Sequence, residues 1–391
     1  MNNNLIAGHI RFEQMIGVGT VDVNFAKDKN AYVLIGENGV GKTKFLESLF
    51  ATLLITNHYV RTLTTLEADY PPVFPFGQFI INGNSSVITK PTKKGTYGYI
   101  GYSWDNINLP IKHNFPIVYI ATSNRETVYG RDDCMNELGN KNYRRTSYIK
   151  HLMSCFEGED NRLKHLNMMV NLDRWIIQRA QSTNKFQAQE DNREVEITTL
   201  LEVLNKIDSR IDNEFLEVSG DNRVFIKIEN QKRELSELSS GFTSILKILQ
   251  AIIAGYSYFT NETQIQNVRG FVLIDEIESH LHNEWQVKIV PLLKEIFPNT
   301  TFVITTHSSL VISQLEQGEA YRLQRESDGI VYGRKIQNPN KITFIDLMQN
   351  AFGIDLNKLK IDRAKKSHNK DSKAAILALI DKELARLENK L

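Results

Sequence analysis

Apolar and polar residues alternate over His9–Gln14 and again over Thr20–Phe25, with Gly17 and Gly19 between them, the period-two pattern of a β-hairpin with one buried face. Ala31–Ile35 is instead a continuous apolar run, as expected of a strand covered on both faces. It ends at Gly36. Beyond a short loop, Phe45, Leu46, Leu49, Phe50 and Leu53 recur at helical spacing through Lys44–Thr56, so the stretch predicts strand, loop and helix. Residues 70–115 mix Pro, Gly, Asn and Tyr in a hairpin-like way, and Ile117–Ala121 is a second buried-strand run. The pattern turns helical and polar over residues 140–210, with Ile149, Leu152 and Met153, then Leu166, Met169, Val170 and Leu172; it lacks the sustained heptads of a long coiled coil. Phe215–Val218 and Arg223–Ile228, joined around Gly220-Asp221-Asn222, predict another hairpin. A helix from Gly241, a strand at Phe271–Ile274, a helix from near Asn283 and a strand at Thr301–Thr305 then alternate, which predicts an α/β fold with a mostly parallel sheet.

A length of 391 residues allows one large domain with insertions or two domains, and 41% hydrophobic with 24% charged residues is an ordinary globular mix that excludes a fibrous or wholly disordered chain. The net charge of +1 excludes global electrostatic attraction to nucleic acid. Any such contact needs a local patch from Lys90–Lys94, Arg144-Arg145 or Arg363–Lys373, although charge runs of this size are usually solvated faces. Cys134 and Cys155 form no CxxC pair and are expected to be reduced thiols. No basic-then-apolar leader opens the chain, and its longest apolar stretch, Ile245–Tyr256, is interrupted by Lys247 and Gln250, so the expectation is a cytoplasmic protein without a membrane span.

Four motifs carry chemistry. Gly36-Glu37-Asn38-Gly39-Val40-Gly41-Lys42-Thr43, followed by Lys44 at the helix start, has the spacing of a P-loop. Its glycines let successive backbone N–H groups turn around phosphate oxygens while the helix N-terminus adds partial positive charge. Lys42 would reach the β- and γ-phosphates of ATP and Thr43 would ligate Mg²⁺. Phe271–Ile274 delivers Asp275 and Glu276 at its end in the Walker B manner: Asp275 would hold Mg²⁺, and Glu276 would orient and deprotonate the attacking water. Thr305-Thr306-His307-Ser308-Ser309 ends the next strand, so His307 should emerge at the same sheet edge and sense the γ-phosphate. Leu238-Ser239-Ser240-Gly241 opens a helix; its serines read either as an ordinary N-cap or as a second phosphate-binding helix end.

Taken in chain order, the P-loop, Leu238-Ser239-Ser240-Gly241, the Walker B pair and Thr305-Thr306-His307-Ser308 resemble the ABC-type ATPase heads shared by SMC, RecF and overcoming-lysogenization-defect proteins. Ile274-Asp275-Glu276-Ile277-Glu278-Ser279-His280-Leu281-His282, with Trp285-Gln286 after it, looks most like the compact ATPases of bacterial antiphage systems, such as those of Septu, retrons and PARIS. The resemblance covers residues 5–60 and 225–315. It implies that Ser239, Ser240 and Gly241 contact ATP held at Lys42 of an opposing protomer, in a homodimer or higher oligomer with composite sites. It implies an ATP-dependent sensor or scaffold controlling a separate effector, a nuclease, with any nucleic acid met through that effector or a local basic patch. The signature departs from the family in reading Leu238-Ser239-Ser240-Gly241-Phe242-Thr243-Ser244, and Asn283 stands where Pro is common. Gln78 is the best candidate for a Q-loop glutamine.

The expected organisation is therefore an ABC-type P-loop head with a mostly parallel core sheet, an N-terminal antiparallel β layer and a helical insertion. Residues 1–119 form the first half of the head, 120–212 the insertion, 213–335 the second half and 336–391 a helical extension, with an apolar stripe over Asp371–Leu391. The rival readings are a RecF- or SMC-like DNA-repair ATPase acting on DNA directly, a transporter ATPase subunit and a non-catalytic interaction module. Trigger, effector identity, stoichiometry and the role of the insertion are not encoded in any motif.

Overall fold

A computed structural model describes residues 4–62, 73–87, 92–94, 101–103, 111–128, 138–156 and 162–366. The chain opens with the hairpin β1 (Gly8–Met15) and β2 (Gly19–Phe25), then β3 (Ala31–Gly36), α1 (Lys42–Thr56) and the short α2 (His58–Thr62). β4 (Gln78–Ile81) and β5 (Asn84–Val87) form a second hairpin, β6 (Thr92–Lys94) and β7 (Gly101–Ser103) pair separately, and β8 (Ile117–Ile120) rejoins the core. Helices α3 (Lys141–Ser154), α4 (Leu172–Gln181) and α5 (Glu194–Ile207) precede a three-stranded antiparallel sheet of β9 (Ile211–Val218), β10 (Val224–Ile228) and β11 (Gln231–Glu234). There follow α6 (Ser240–Phe259), β12 (Gly270–Ile274), α7 (Asn283–Ile296), β13 (Thr300–Thr305), α8 (Ser309–Ile312), β14 (Ala320–Arg325), β15 (Val331–Lys335), α9 (Phe344–Phe352) and α10 (Leu356–Lys366).

The main sheet has ten strands in the order β5-β4-β1-β2-β15-β14-β3-β13-β12-β8. From β14 to β8 all neighbours are parallel. Every residue of β3, β8, β12 and β13 is buried, which is why these strands read as unbroken apolar runs. The register pairs Ile274 with Ile120 and Ile304, and Thr305 with Leu34, so the chain leaves all four strands at one carboxyl edge. That edge is where an open α/β sheet binds its ligand.

The N-terminal antiparallel layer is continuous with this core in one sheet. β15 joins them, pairing antiparallel with β14 and parallel with β2. Gly333 permits the joint, because a Cβ there would stand 2.7 Å from a Val23 methyl.

The helices between β8 and β9 dock on α6 through a buried ionic network. Glu196 accepts from Arg179 at 3.0 Å and Arg193 at 2.8 Å, and Arg193 also donates to Ser257 Oγ of α6 at 2.8 Å. Arg144 is fully buried too, donating to Gly139 O and Asn261 Oδ1. The Arg144-Arg145 pair is therefore not a basic surface patch. Arg144, Tyr148 and Leu152 share the inward face of α3 at intervals of four, whereas Arg145 stacks over the Tyr59 ring at 3.8 Å. Lys247 and Gln250, the polar breaks in the apolar run of α6, are buried as well, and among the described residues α6 is the helix long and apolar enough to cross a membrane, with 89% of that stretch inside the fold. The runs Lys90–Lys94 and Arg363–Lys373, Cys134 and the terminal stripe over Asp371–Leu391 lie outside the residues whose side chains are described.

Candidate active site

Between β3 and α1 the backbone takes positive φ at Gly39 (79°) and Gly41 (111°), conformations that side chains rarely adopt. Gly36 and Gly41 also lack room: a Cβ would lie 2.6 Å from Leu323 O and 2.6 Å from a Val18 methyl, because β14 and the β1–β2 turn close on the loop. Gly39 meets nothing within 4 Å and so faces open space. Lys42 is buried and donates to Gly36 O at 2.9 Å and Glu37 O at 3.0 Å. Burial lowers its pKa, against the raising pull of Asp275, Glu276 and Glu278. Lys44 pairs with Glu47 of its own helix at 2.7 Å.

Asp275 leaves β12 buried and gathers three hydroxyls. Thr43 Oγ1 donates across the sheet edge at 3.0 Å from Oδ1 and 3.1 Å from Oδ2, Thr305 Oγ1 at 2.6 Å and Thr122 Oγ1 at 3.3 Å. Glu276 is half-buried, with φ of 48° and its N–H donated to Thr305 Oγ1 at 2.7 Å. A left-handed glutamate costs about 1–2 kcal/mol and persists only where its surroundings fix it. A threonine hydroxyl beside a carboxylate is a donor set for a hard divalent cation, and the open side of Gly39 next to the α1 N-terminus suits polyphosphate, so these residues fit Mg²⁺ and a nucleoside triphosphate.

His307 follows β13 with its side chain exposed, and its N–H donates to Glu278 Oε1 at 2.6 Å while Thr306 Oγ1 donates to Glu278 Oε2 at 2.6 Å. Ser239 caps α6, accepting from the Phe242 N–H at 3.3 Å. Ser239 and Ser240 are exposed, and Gly241 packs under the loop after Glu276, where a Cβ would stand 3.1 Å from His280 O. The P-loop and the Walker B residues are thus brought together in one chain. The Ser239–Gly241 turn makes no hydrogen bond to that P-loop among the described residues, and its two serines face outward.

The family model described as "AAA domain, putative AbiEii toxin, Type IV TA system" matches residues 142–313, a span that holds Ser239–Gly241, Asp275, Glu276 and His307 but not the P-loop. The Septu protein PtuA of Bacillus thuringiensis is 24% identical over 368 residues, covering 90% of this chain and 85% of that one. A second Septu protein PtuA, from Bacillus mycoides (strain KBAB4), is 26% identical over 339 residues, and there the match spans only 42% of the relative. The Retron Vc95 probable ATPase of Vibrio cholerae is 23% identical over 394 residues, covering 84% of this chain and 75% of that one. The chain is an ATPase similar to those of antiphage defence systems. Among solved structures, an SMC head bound to the C-winged helix domain of ScpA aligns over 85% of this chain and 99% of its own at 11% identity, with a TM-score of 0.45.

In this ATPase Gln78 is not at the site. It stands in β4, two strands beyond β2 in the antiparallel flank, with Glu13 and Val87 as register partners. The strand beside Walker B is β8, and it delivers Thr122 to Asp275. Arg125, one turn further, is fully buried and donates to Ala121 O at 2.8 Å, Ile120 O at 3.3 Å, Glu276 O at 2.8 Å and Asp275 O. Burial brings its pKa down to about 10, against the charges of Asp275, Glu278 and Glu276. Lys247 of α6 donates to Asn124 O at 2.9 Å and Met168 O at 2.6 Å, tying the same loop to α6 and the helical lobe. Thr305 and Glu278 lie inside motifs legible in the sequence, but their part in holding Asp275, Glu276 and His307 is visible only in three dimensions.

Proposed function

We propose that this ATPase is the sensor or scaffold subunit of an antiphage defence complex, cleaving the β–γ phosphoanhydride of ATP to control a separate effector, a nuclease. The observation that carries the ATPase chemistry is the meeting of Thr43 Oγ1 with the Asp275 carboxylate at 3.0 Å, beside Lys42 and Glu276. Gly36, Asn38, Gly39, Val40, Gly41 and Lys44 would form the phosphate cradle with Lys42. Thr43 and Asp275 would hold a Mg²⁺ whose charge offsets the charge developing on the phosphate oxygens. Glu276 would orient a water and accept its proton, and His307 would report the γ-phosphate.

The exposed Ser239-Ser240 pair suits a composite site, in which each protomer of a homodimer, or of a higher oligomer built from such dimers, supplies its α6 N-terminus to the partner's nucleotide. Closure on ATP and opening after hydrolysis would then be the signal to the effector. The test is purification of the full chain together with the products of its neighbouring reading frames, with and without ATP. The proposal expects a second chain to co-purify and its nuclease activity to change with the nucleotide state. Tight ATP-dependent DNA binding by the isolated chain, with no such partner, would favour the RecF- or SMC-like reading instead.

A further inference from the structure

We propose that Arg125 is a positioning residue for Glu276, setting the direction of that carboxylate by clamping the peptide units on both sides of it. The inference rests on the reading of Glu276 as the base. The carbonyls of Asp275 and Glu276 belong to the two peptide planes that flank the Glu276 Cα, and one buried guanidinium binds both. Those two planes define φ and ψ of Glu276, which is held at φ of 48° where a glutamate does not rest unaided. From the other side the Thr305 hydroxyl accepts the Glu276 N–H at 2.7 Å. The same guanidinium reaches Ile120 O and Ala121 O at the end of β8, so the clamp is referenced to the sheet rather than to a loose loop.

The chemistry calls for arginine. Among the described residues the partners of Arg125 are four carbonyl oxygens at the carboxyl ends of two neighbouring strands, none a carboxylate, and only a planar fork with several N–H donors spans them. An ammonium on a lysine stem supplies three donors from one point. Lys247 backs the arrangement, since its bond to Asn124 O fixes the residue before Arg125 and its bond to Met168 O anchors that loop to the helical lobe. Movement of the lobe or of α6 is thereby connected to the set of the catalytic glutamate.

The experiment compares Arg125→Lys and Arg125→Gln with the unmodified full-length protein and with Glu276→Gln, measuring ATP affinity by calorimetry, kcat and KM for ATP hydrolysis, and thermal unfolding. Positioning predicts a kcat lowered at least about tenfold with ATP affinity within about threefold. It also predicts that Arg125→Lys lowers the residual turnover of Glu276→Gln less than about twofold, because a misdirected amide has nothing further to lose. A folded Arg125→Lys protein with normal kcat overturns the proposal. So does an equal loss in both backgrounds, or failure of both Arg125 variants to fold, since each makes the role purely structural. Normal turnover by Glu276→Gln would defeat the reading of the site itself, a result distinct from all of these.

Discussion

Glu196→Gln tests whether the helical lobe is fastened to the head by the buried network beside α6. The carboxylate is fully buried between Arg179 and Arg193 and is the acceptor for both. An amide of the same shape leaves two buried guanidinium groups without their counter-charge, next to Arg144, whose pKa is already lowered by burial and by the charge of Arg193. Removing one member of such a network costs about 3–5 kcal/mol. At about 2–4 °C per kcal/mol this is a fall in melting temperature of roughly 6 °C or more. The sign with pH follows from the carboxyl itself. Burial pushes the Glu196 pKa up, but Arg179, Arg193 and the Ser257 hydroxyl together pull it below the usual carboxylate value. Its contribution is therefore complete above the unfolded value near 4.5 and is lost as pH falls through the folded value. Thermal unfolding of both proteins should show the full gap at pH 7 and a narrowing gap below about pH 4.5, with ATP affinity unchanged because Glu196 bonds to Arg179, Arg193 and Ser257 and not to the P-loop among the described residues. Equal melting temperatures at pH 7, or a gap constant with pH, would refute the reasoning.

Lys42→Ala should abolish ATP binding in calorimetry, since the phosphates lose their main cationic partner; an unchanged binding isotherm would contradict this. Ser240→Asp should leave ATP binding intact and stop hydrolysis, because Ser240 is exposed at the α6 N-terminus and the acid would face the partner's phosphates, and mixing it with Lys42→Ala should restore part of the turnover through one intact composite site. Among the buried groups, His113 holds Leu53 O at 2.9 Å and accepts the Phe115 N–H at 3.2 Å, and burial lowers its pKa from 6.5 to about 4. The unfolded chain binds that proton first, so stability should fall as pH drops from about 6.5 to 4, by up to about 3 kcal/mol, and His113→Gln should flatten that part of the melting profile.

The sequence exposed what depends on local pattern. The change from an unbroken apolar run to helical spacing around Gly36–Thr56 marked the strand, loop and helix of the nucleotide cradle, and β12 and β13 were legible for the same reason. Side chains that act through backbone carbonyls left no such trace. Arg125 binds the ends of two strands whose pairing is tertiary, and Thr122 reaches Asp275 only because β8 lies beside β12. The joint between β15 and β2 was hidden likewise, since it pairs segments from opposite ends of the chain. Arg144 misled because adjacent arginines suggest a charged surface by composition, although its spacing with Tyr148 and Leu152 puts it on the buried face of α3.

The most direct test of the account is single-turnover hydrolysis of γ-labelled ATP by the full-length protein and by Glu276→Gln, with binding measured in parallel. The account predicts Mg²⁺-dependent hydrolysis by the unmodified chain and a rate at least about a hundredfold lower in the variant, as loss of a general base requires, with ATP bound as tightly as before. Hydrolysis at an undiminished rate in Glu276→Gln would contradict it.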